Sequence, residues 1–143
     1  PGDIVNATTI NNTTPSVATS PYAFFVRNST ITGRCINNGT IDISNRDKAK
    51  HIEAFARDFR VFSEVGYKDA QRSQELPPGK WIEYIQEDLA AGATRVITEA
   101  RESGKSGICR PSGEIRYGLI AEIVNVIPVE RLLFEAPTKD LQT

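Results

Sequence analysis

Methionine is absent from the 143 residues, histidine and tryptophan occur once each, and cysteine occurs twice, at Cys35 and Cys109. The lone histidine, His51, has no second His or Cys at ligand spacing, so it reads as a surface or boundary residue rather than a metal ligand or a base. A Ser-His-Asp or Cys-His hydrolase is correspondingly disfavoured. Two thiols far apart in sequence are expected to be free, as in a reducing compartment, rather than a disulfide framework. Charge of one sign is also missing. Lys+Arg 17 against Asp+Glu 18 gives a formal net charge of -1, which offers no global basic field for nucleic acid or anionic membrane. The longest apolar runs are a few residues, and no charged-then-apolar segment opens the chain, so neither a membrane span nor a secretory leader is visible. What is present, 39% hydrophobic and 24% charged residues, suits one globular domain with a real core and a cytoplasmic location.

Two compositions share the chain. Residues 1–36 are rich in Asn, Thr, Ser and Pro, hold little apolar material beyond Val17, Ala18 and Tyr22–Val26, and show no sustained periodicity. That low-complexity segment is expected to be loosely ordered. It carries sequons at Asn6, Asn11, Asn12 and Asn28, with one more at Asn38, which would be glycan acceptors only in a secreted protein. Residues 37–143 alternate helical and β-rich runs, the sign of βαβ units around a parallel sheet. The start at Pro1 without methionine and the stop at Thr143 just after a strand and loop read as a piece of something longer.

In the second segment, Ser44 as N-cap with Asp47 three residues on opens a helix whose apolar stripe is Ile52, Phe55, Ala56 and Phe59. Val61–Val65 is the strand after it. Pro77-Pro78-Gly79 introduces a second helix over about 80–91, with Trp81, Ile82, Ile85 and Leu89 on one face, and Gly92 ends it. Strand 94–98 follows. A third helix is expected over about 112–126, with Ile120, Ile123, Val124 and Ile127 at helical spacing and Pro128 closing it. Arg131–Phe134 is the next strand.

Three strands end alike, in Ser63-Glu64-Val65, Thr98-Glu99-Ala100 and Phe134-Glu135-Ala136, with the glutamates 35 and then 36 residues apart. A βα unit of a parallel barrel takes about 30 residues, and the carboxyl ends of its strands form the active-site rim. Glu64, Glu99 and Glu135 are therefore candidates to converge on one mouth, where oxygen ligands suit Mg²⁺. The plainer alternative pairs each glutamate with a neighbouring Lys or Arg. After Glu99 comes Arg101-Glu102-Ser103-Gly104-Lys105-Ser106-Gly107, which can present guanidinium, hydroxyl and backbone N–H groups to an anion, or simply form a solvated turn. It lacks the Walker frame.

Four stretches, Asn38–Ser44, Ser63–Lys68, Thr98–Lys105 and Phe134–Lys139, together with Trp81-Ile82-Glu83 and Asp88–Ala93, resemble the phosphosulfolactate synthase family in order and spacing. The resemblance covers about Asn38 to Gln142 and leaves residues 1–36 outside it, which suggests an upstream frame error or a fusion. It implies an α/β fold, part of a (β/α)8 TIM barrel supplying roughly its fourth to seventh strands. It also implies a carbon–sulfur lyase using Mg²⁺ and the small-molecule substrates phosphoenolpyruvate and sulfite. In that reading sulfite attacks the methylene carbon of phosphoenolpyruvate, Mg²⁺ stabilises the resulting carboxylate-conjugated anion, and Lys68 protonates the adjacent carbon. Arg101, Ser103 and Lys105 would bind the substrate anions, and Glu64, Glu99 and Glu135 would be the metal candidates. The isolated part-barrel is expected to be inactive and to self-associate through its open edges.

Two rival readings remain at this point. One is a non-catalytic, stress-associated or binding relative of the barrel, against which the retention of Glu64, Lys68, Glu99, Arg101 and Glu135 argues. The other is a secreted glycosylated interaction domain, against which the confinement of the sequons to residues 1–40 argues.

Overall fold

The computed structural model describes residues 4–6, 10–11, 35–37 and 41–142. Most of the segment 1–36, with the sequons at Asn12 and Asn28, and the sequon at Asn38 lie outside the described residues. The chain divides into two units, Pro1–Ser44 and Asn45–Thr143. In the first unit, β1 (Ile4–Asn6) pairs in parallel with β3 (Cys35–Asn37), and β2 (Ile10–Asn11) pairs in parallel with β4 (Ile41–Asp42).

The second unit is an α/β layer. Its sheet has strand order β5 (Val61–Val65), β6 (Ala93–Thr98) and β7 (Leu132–Phe134), all parallel and in chain order. Helix α1 (Asn45–Ala56) precedes β5, helices α2 (Ala70–Glu75) and α3 (Pro78–Ala90) join β5 to β6, and α4 (Tyr117–Val126) joins β6 to β7. A 3-10 turn, Val129–Arg131, leads into β7, and α5 (Lys139–Gln142) follows it. Strands that neighbour in sequence and run parallel through helical crossovers are the repeating unit of a (β/α)8 barrel, and this sheet is part of one.

Strand alternation separates the two faces. Ser63, Val65, Val96, Thr98 and Leu132 point to one face and are buried, covered by α1 and α3, with α4 packed on α3. The core behind them holds Trp81 and Ile85 of α3 with Leu119 and Ile123 of α4, and each such buried side chain contributes roughly 1.5–3 kcal/mol. The other face carries Phe62, Glu64, Arg95, Ile97 and Leu133, half-buried or exposed, with Phe62 at 46%. In a closed barrel this second face is the interior.

Three elements differ from the sequence expectation. Helix α1 ends at Ala56, so Phe59 lies beyond it, and Phe55 of the expected apolar stripe is exposed, leaving Ile52 as the buried residue of α1. Helix α4 begins at Tyr117 rather than near Ser112 because Arg110–Glu114 closes a tight turn instead. The Gly113 N–H donates to the Arg110 carbonyl (2.8 Å), the Arg110 N–H donates to the Glu114 carbonyl (2.8 Å), and Cys109 bridges Ile115 antiparallel. Pro111 and the left-handed Gly113 (φ +91°) favour that turn over a helical start. Within α4, Leu119 rather than Val124 is buried beside Ile123. Helix α2 was not anticipated. Asp69 caps it by accepting the Arg72 N–H at 2.8 Å.

Candidate active site

The three glutamates follow from strand register. Glu64 pairs with Ile97 across the β5–β6 ladder, and Ile97 pairs with Leu133 across β6–β7. The Glu99 N–H donates to the Val65 carbonyl (3.0 Å) and the Glu135 N–H to the Thr98 carbonyl (3.4 Å), so the ladder continues past the strand ends. Glu99 and Glu135 thus sit at one level, and Glu64 sits two residues lower on the same face, since a shift of two preserves side-chain direction.

Burial sets their chemistry. Glu99 is 1% exposed, and its pKa is pushed up to about 8 by burial, by a hydrogen bond and repulsion from Glu64, and by repulsion from Glu135, with Lys68 pulling the other way. The four side chains named in the sequence as metal candidates and general acid therefore share one electrostatic environment. Glu135 is held by the end of β6, its Oε2 accepting the Ala100 N–H at 2.9 Å. Ion pairs join Lys48 to Asp88, Lys50 to Asp47, Lys80 to Glu83 and Arg110 to Glu114. No group of three or more His, Cys, Asp or Glu among the described residues is arranged as a ready metal cage.

Two glycines allow the crowding. Gly66, at φ +123°, turns the chain after β5, and a Cβ there would lie 2.6 Å from Trp81 Cη2 and 2.7 Å from Glu99 Cβ. Gly107, at φ +68°, packs on the Glu99 carbonyl, which a Cβ would meet at 1.6 Å. The Ile108 N–H donates to that same carbonyl at 2.8 Å.

The predicted anion-binding residues divide. Arg101 is exposed and one Nη donates to the Lys68 carbonyl at 3.3 Å, so part of its guanidinium holds the loop of the half-buried Lys68. Ser103 lines a pocket of about 370 Å³ with Gly104, Gly113, Tyr117, Thr138 and Leu141. Lys105 is exposed and does not line that pocket. Sequence reasoning missed Ser73, Ser106 and Arg116. Ser106 Oγ donates to the Tyr67 carbonyl (2.7 Å), and Ser73 Oγ accepts the Gly107 N–H (2.9 Å). Arg116, its pKa lowered first by burial and then by Arg110, donates to the carbonyls of Ser73 (3.0 Å) and Gly107 (3.1 Å). Small hydroxyls in a Gly/Ser loop gave no signal of these roles. Cys109 is a buried free thiol whose pKa burial raises, and His51 is half-buried on α1. No helix among the described residues is long and apolar enough to cross a membrane.

Comparison with known proteins identifies the family. The family model for (2R)-phospho-3-sulfolactate synthase (ComA) matches residues 16–143, beginning upstream of the stretch Asn38–Gln142. The phosphosulfolactate synthase of Bacillus subtilis (strain 168) is 49% identical over 108 residues, 75% of this chain and 43% of the relative. That of Methanothermobacter thermautotrophicus is 40% identical over 109 residues, 75% of this chain and 42% of the relative. That of Methanocaldococcus jannaschii is 34% identical over 110 residues, 75% of this chain and 43% of the relative. The chain thus spans less than half the length of these curated relatives. With the family model matching well over half of the chain, the chain belongs to the (2R)-phospho-3-sulfolactate synthase family.

Proposed function

We propose that this chain supplies part of the active-site rim of a Mg²⁺-dependent phosphosulfolactate synthase, a cytoplasmic lyase that joins sulfite to phosphoenolpyruvate. The observation that carries the reading is the shared environment of Glu64, Glu99, Glu135 and Lys68 at the carboxyl end of one parallel sheet.

The donor set fits a divalent cation. Glu99 and Glu64 repel each other at hydrogen-bonding range, a conflict that a dication resolves, and Mg²⁺ usually takes only one or two carboxylates with water and substrate oxygens for the rest. One or two of Glu64, Glu99 and Glu135 would hold it, with water and substrate oxygens completing the shell. When bound, the ion stabilises negative charge developing on the substrate carboxylate.

The chain's own residues do the remaining work. The sulfite sulfur lone pair forms the C–S bond at the methylene carbon, the double-bond electrons move toward the carboxylate-bearing carbon, and Lys68 gives that carbon a proton and is reprotonated from solvent. Arg101, Ser103 and Lys105 bind phosphate, carboxylate or sulfite oxygens, the guanidinium having donors to spare beyond the one given to Lys68.

The test is a complete barrel in which the matched 108 residues of this chain replace the corresponding stretch of the Bacillus subtilis relative. Product formation from phosphoenolpyruvate and sulfite, dependent on Mg²⁺, is expected. A folded barrel without turnover would overturn the proposal.

A further inference from the structure

The rim residues are held by a latch between two loops. The loop after β5 carries Tyr67 and Lys68, and the loop after β6 carries Ser106 and Gly107 directly against Glu99. Ser106 is 2% exposed and Ser73 is 1% exposed. Ser106 Oγ donates to the Tyr67 carbonyl at 2.7 Å, one residue before Lys68. Ser73 Oγ accepts the Gly107 N–H (2.9 Å) and donates to the Gly107 carbonyl (3.2 Å). Ile108 then ties this loop to the Glu99 carbonyl at 2.8 Å. Two hydrogen bonds, at Ile108 and at Ser106, joined by the backbone of residues 106–108, therefore tie the Glu99 main chain to Tyr67, the residue before Lys68.

The geometry points to Ser106 as a positioning residue that fixes the Lys68 backbone relative to the Glu99 carboxyl. The inference rests on the assignment of Lys68 as general acid. A buried serine whose hydroxyl goes to a main-chain carbonyl of another loop contributes little by its own hydrophobicity. Its effect is to remove freedom from the segment it grips. Arg101 is exposed and donates to the Lys68 carbonyl at 3.3 Å, a longer bond than the 2.7 Å made by the buried Ser106, so its grip is the weaker. Misplacement of a proton donor by about 1 Å costs about 10²-fold in rate. A group that acts only in the transition state lowers kcat and leaves KM in place.

Ser106→Ala and Ser106→Cys, the latter near-isosteric with a weak donor, are compared with Lys68→Ala in the spliced barrel, with amide exchange followed in the full chain. The expected result is kcat lowered about 10²-fold in Ser106→Ala and less in Ser106→Cys, with both KM values unchanged. Faster exchange of the Gly107 and Ile108 amides is expected, with Ile85 and Ile123 unaffected. Should the alanine variant fail to fold, the cysteine variant decides by the same criteria. A near-normal kcat in Ser106→Ala beside an inactive Lys68→Ala overturns the positioning role and leaves the Lys68 assignment standing. So does a lower melting temperature with kcat intact, which marks a purely structural serine. Near-normal turnover in Lys68→Ala removes the assignment, and the inference with it.

Discussion

Glu64 pairs with Ile97 across the β5–β6 ladder, which leaves its carboxyl on the same face as Glu99 and close enough to help raise the Glu99 pKa to about 8. A buried acid beside a second carboxylate makes folding sensitive to pH. Glu99 in the folded chain titrates above its ordinary 4.5, so its contribution to stability is fully present below the unfolded pKa and is lost as pH rises through the folded one. Urea midpoints of the full chain should fall between about pH 4.5 and about 8. In Glu99→Gln that part of the decline should vanish. Parallel pH profiles for the two proteins would contradict the pairing.

Gly107→Ala should destabilise the full chain by at least about 1–3 kcal/mol, since a left-handed non-glycine residue is strained and its Cβ would overlap the Glu99 carbonyl at 1.6 Å. Gly79→Ala, at the second residue of α3 with nothing within 4 Å of the added methyl, should be neutral or gain at most about 0.5 kcal/mol of helix propensity. Thermal melts of both variants check the contrast, and equal effects would show that the Gly107 contact is not close.

Lys48 links α1 to the layer beneath the rim, donating to the Glu64 carbonyl (2.9 Å) and pairing with Asp88 at 2.8 Å. Asp88 is fully buried. Burial pushes its pKa up, and Lys48 and the Ser63 hydroxyl pull it down. Removing only the cation leaves a buried carboxylate without its counter-charge, so Lys48→Ala should cost about 3 kcal/mol. Asp88→Asn, which removes the buried charge itself, should cost less. Urea unfolding of the pair decides the order, and a milder Lys48→Ala would show that the ion pair is not what stabilises this layer.

The glutamate repeat was legible because strand ends in a parallel barrel recur with the βα unit, and the three helices and strands of residues 45–134 were legible from apolar spacing at Trp81, Ile85 and Ile123. The two-residue offset of Glu64 was not, because register depends on a β-bulge between Val61 and Phe62 that leaves no mark in the residue types. Helix α2 and the Arg110–Glu114 turn were missed for a related reason: six residues are too few to show periodicity, and the Ile120–Ile127 pattern extends backward over a segment that Pro111 and Gly113 bend away. The Ser73 and Ser106 contacts are tertiary and invisible in a list of residues.

By itself the full chain should show no turnover and should self-associate. β5 and β7 are the edges of the three-stranded sheet, and its barrel-interior face exposes Phe62 at 46%. Sedimentation velocity should find species larger than 15.8 kDa. A clean monomer with activity would mean that the described sheet needs no further strands.

The most direct measurement is steady-state kinetics with Mg²⁺ titration of Lys68→Ala and Glu64→Gln in the spliced barrel. A general acid typically contributes about 10²–10⁴-fold. Lys68→Ala should lose turnover on that scale while Mg²⁺ binding stays largely intact, and Glu64→Gln should weaken Mg²⁺ binding first. Near-normal turnover of Lys68→Ala, or Mg²⁺ affinity indifferent to Glu64→Gln, Glu99→Gln and Glu135→Gln alike, would contradict the account.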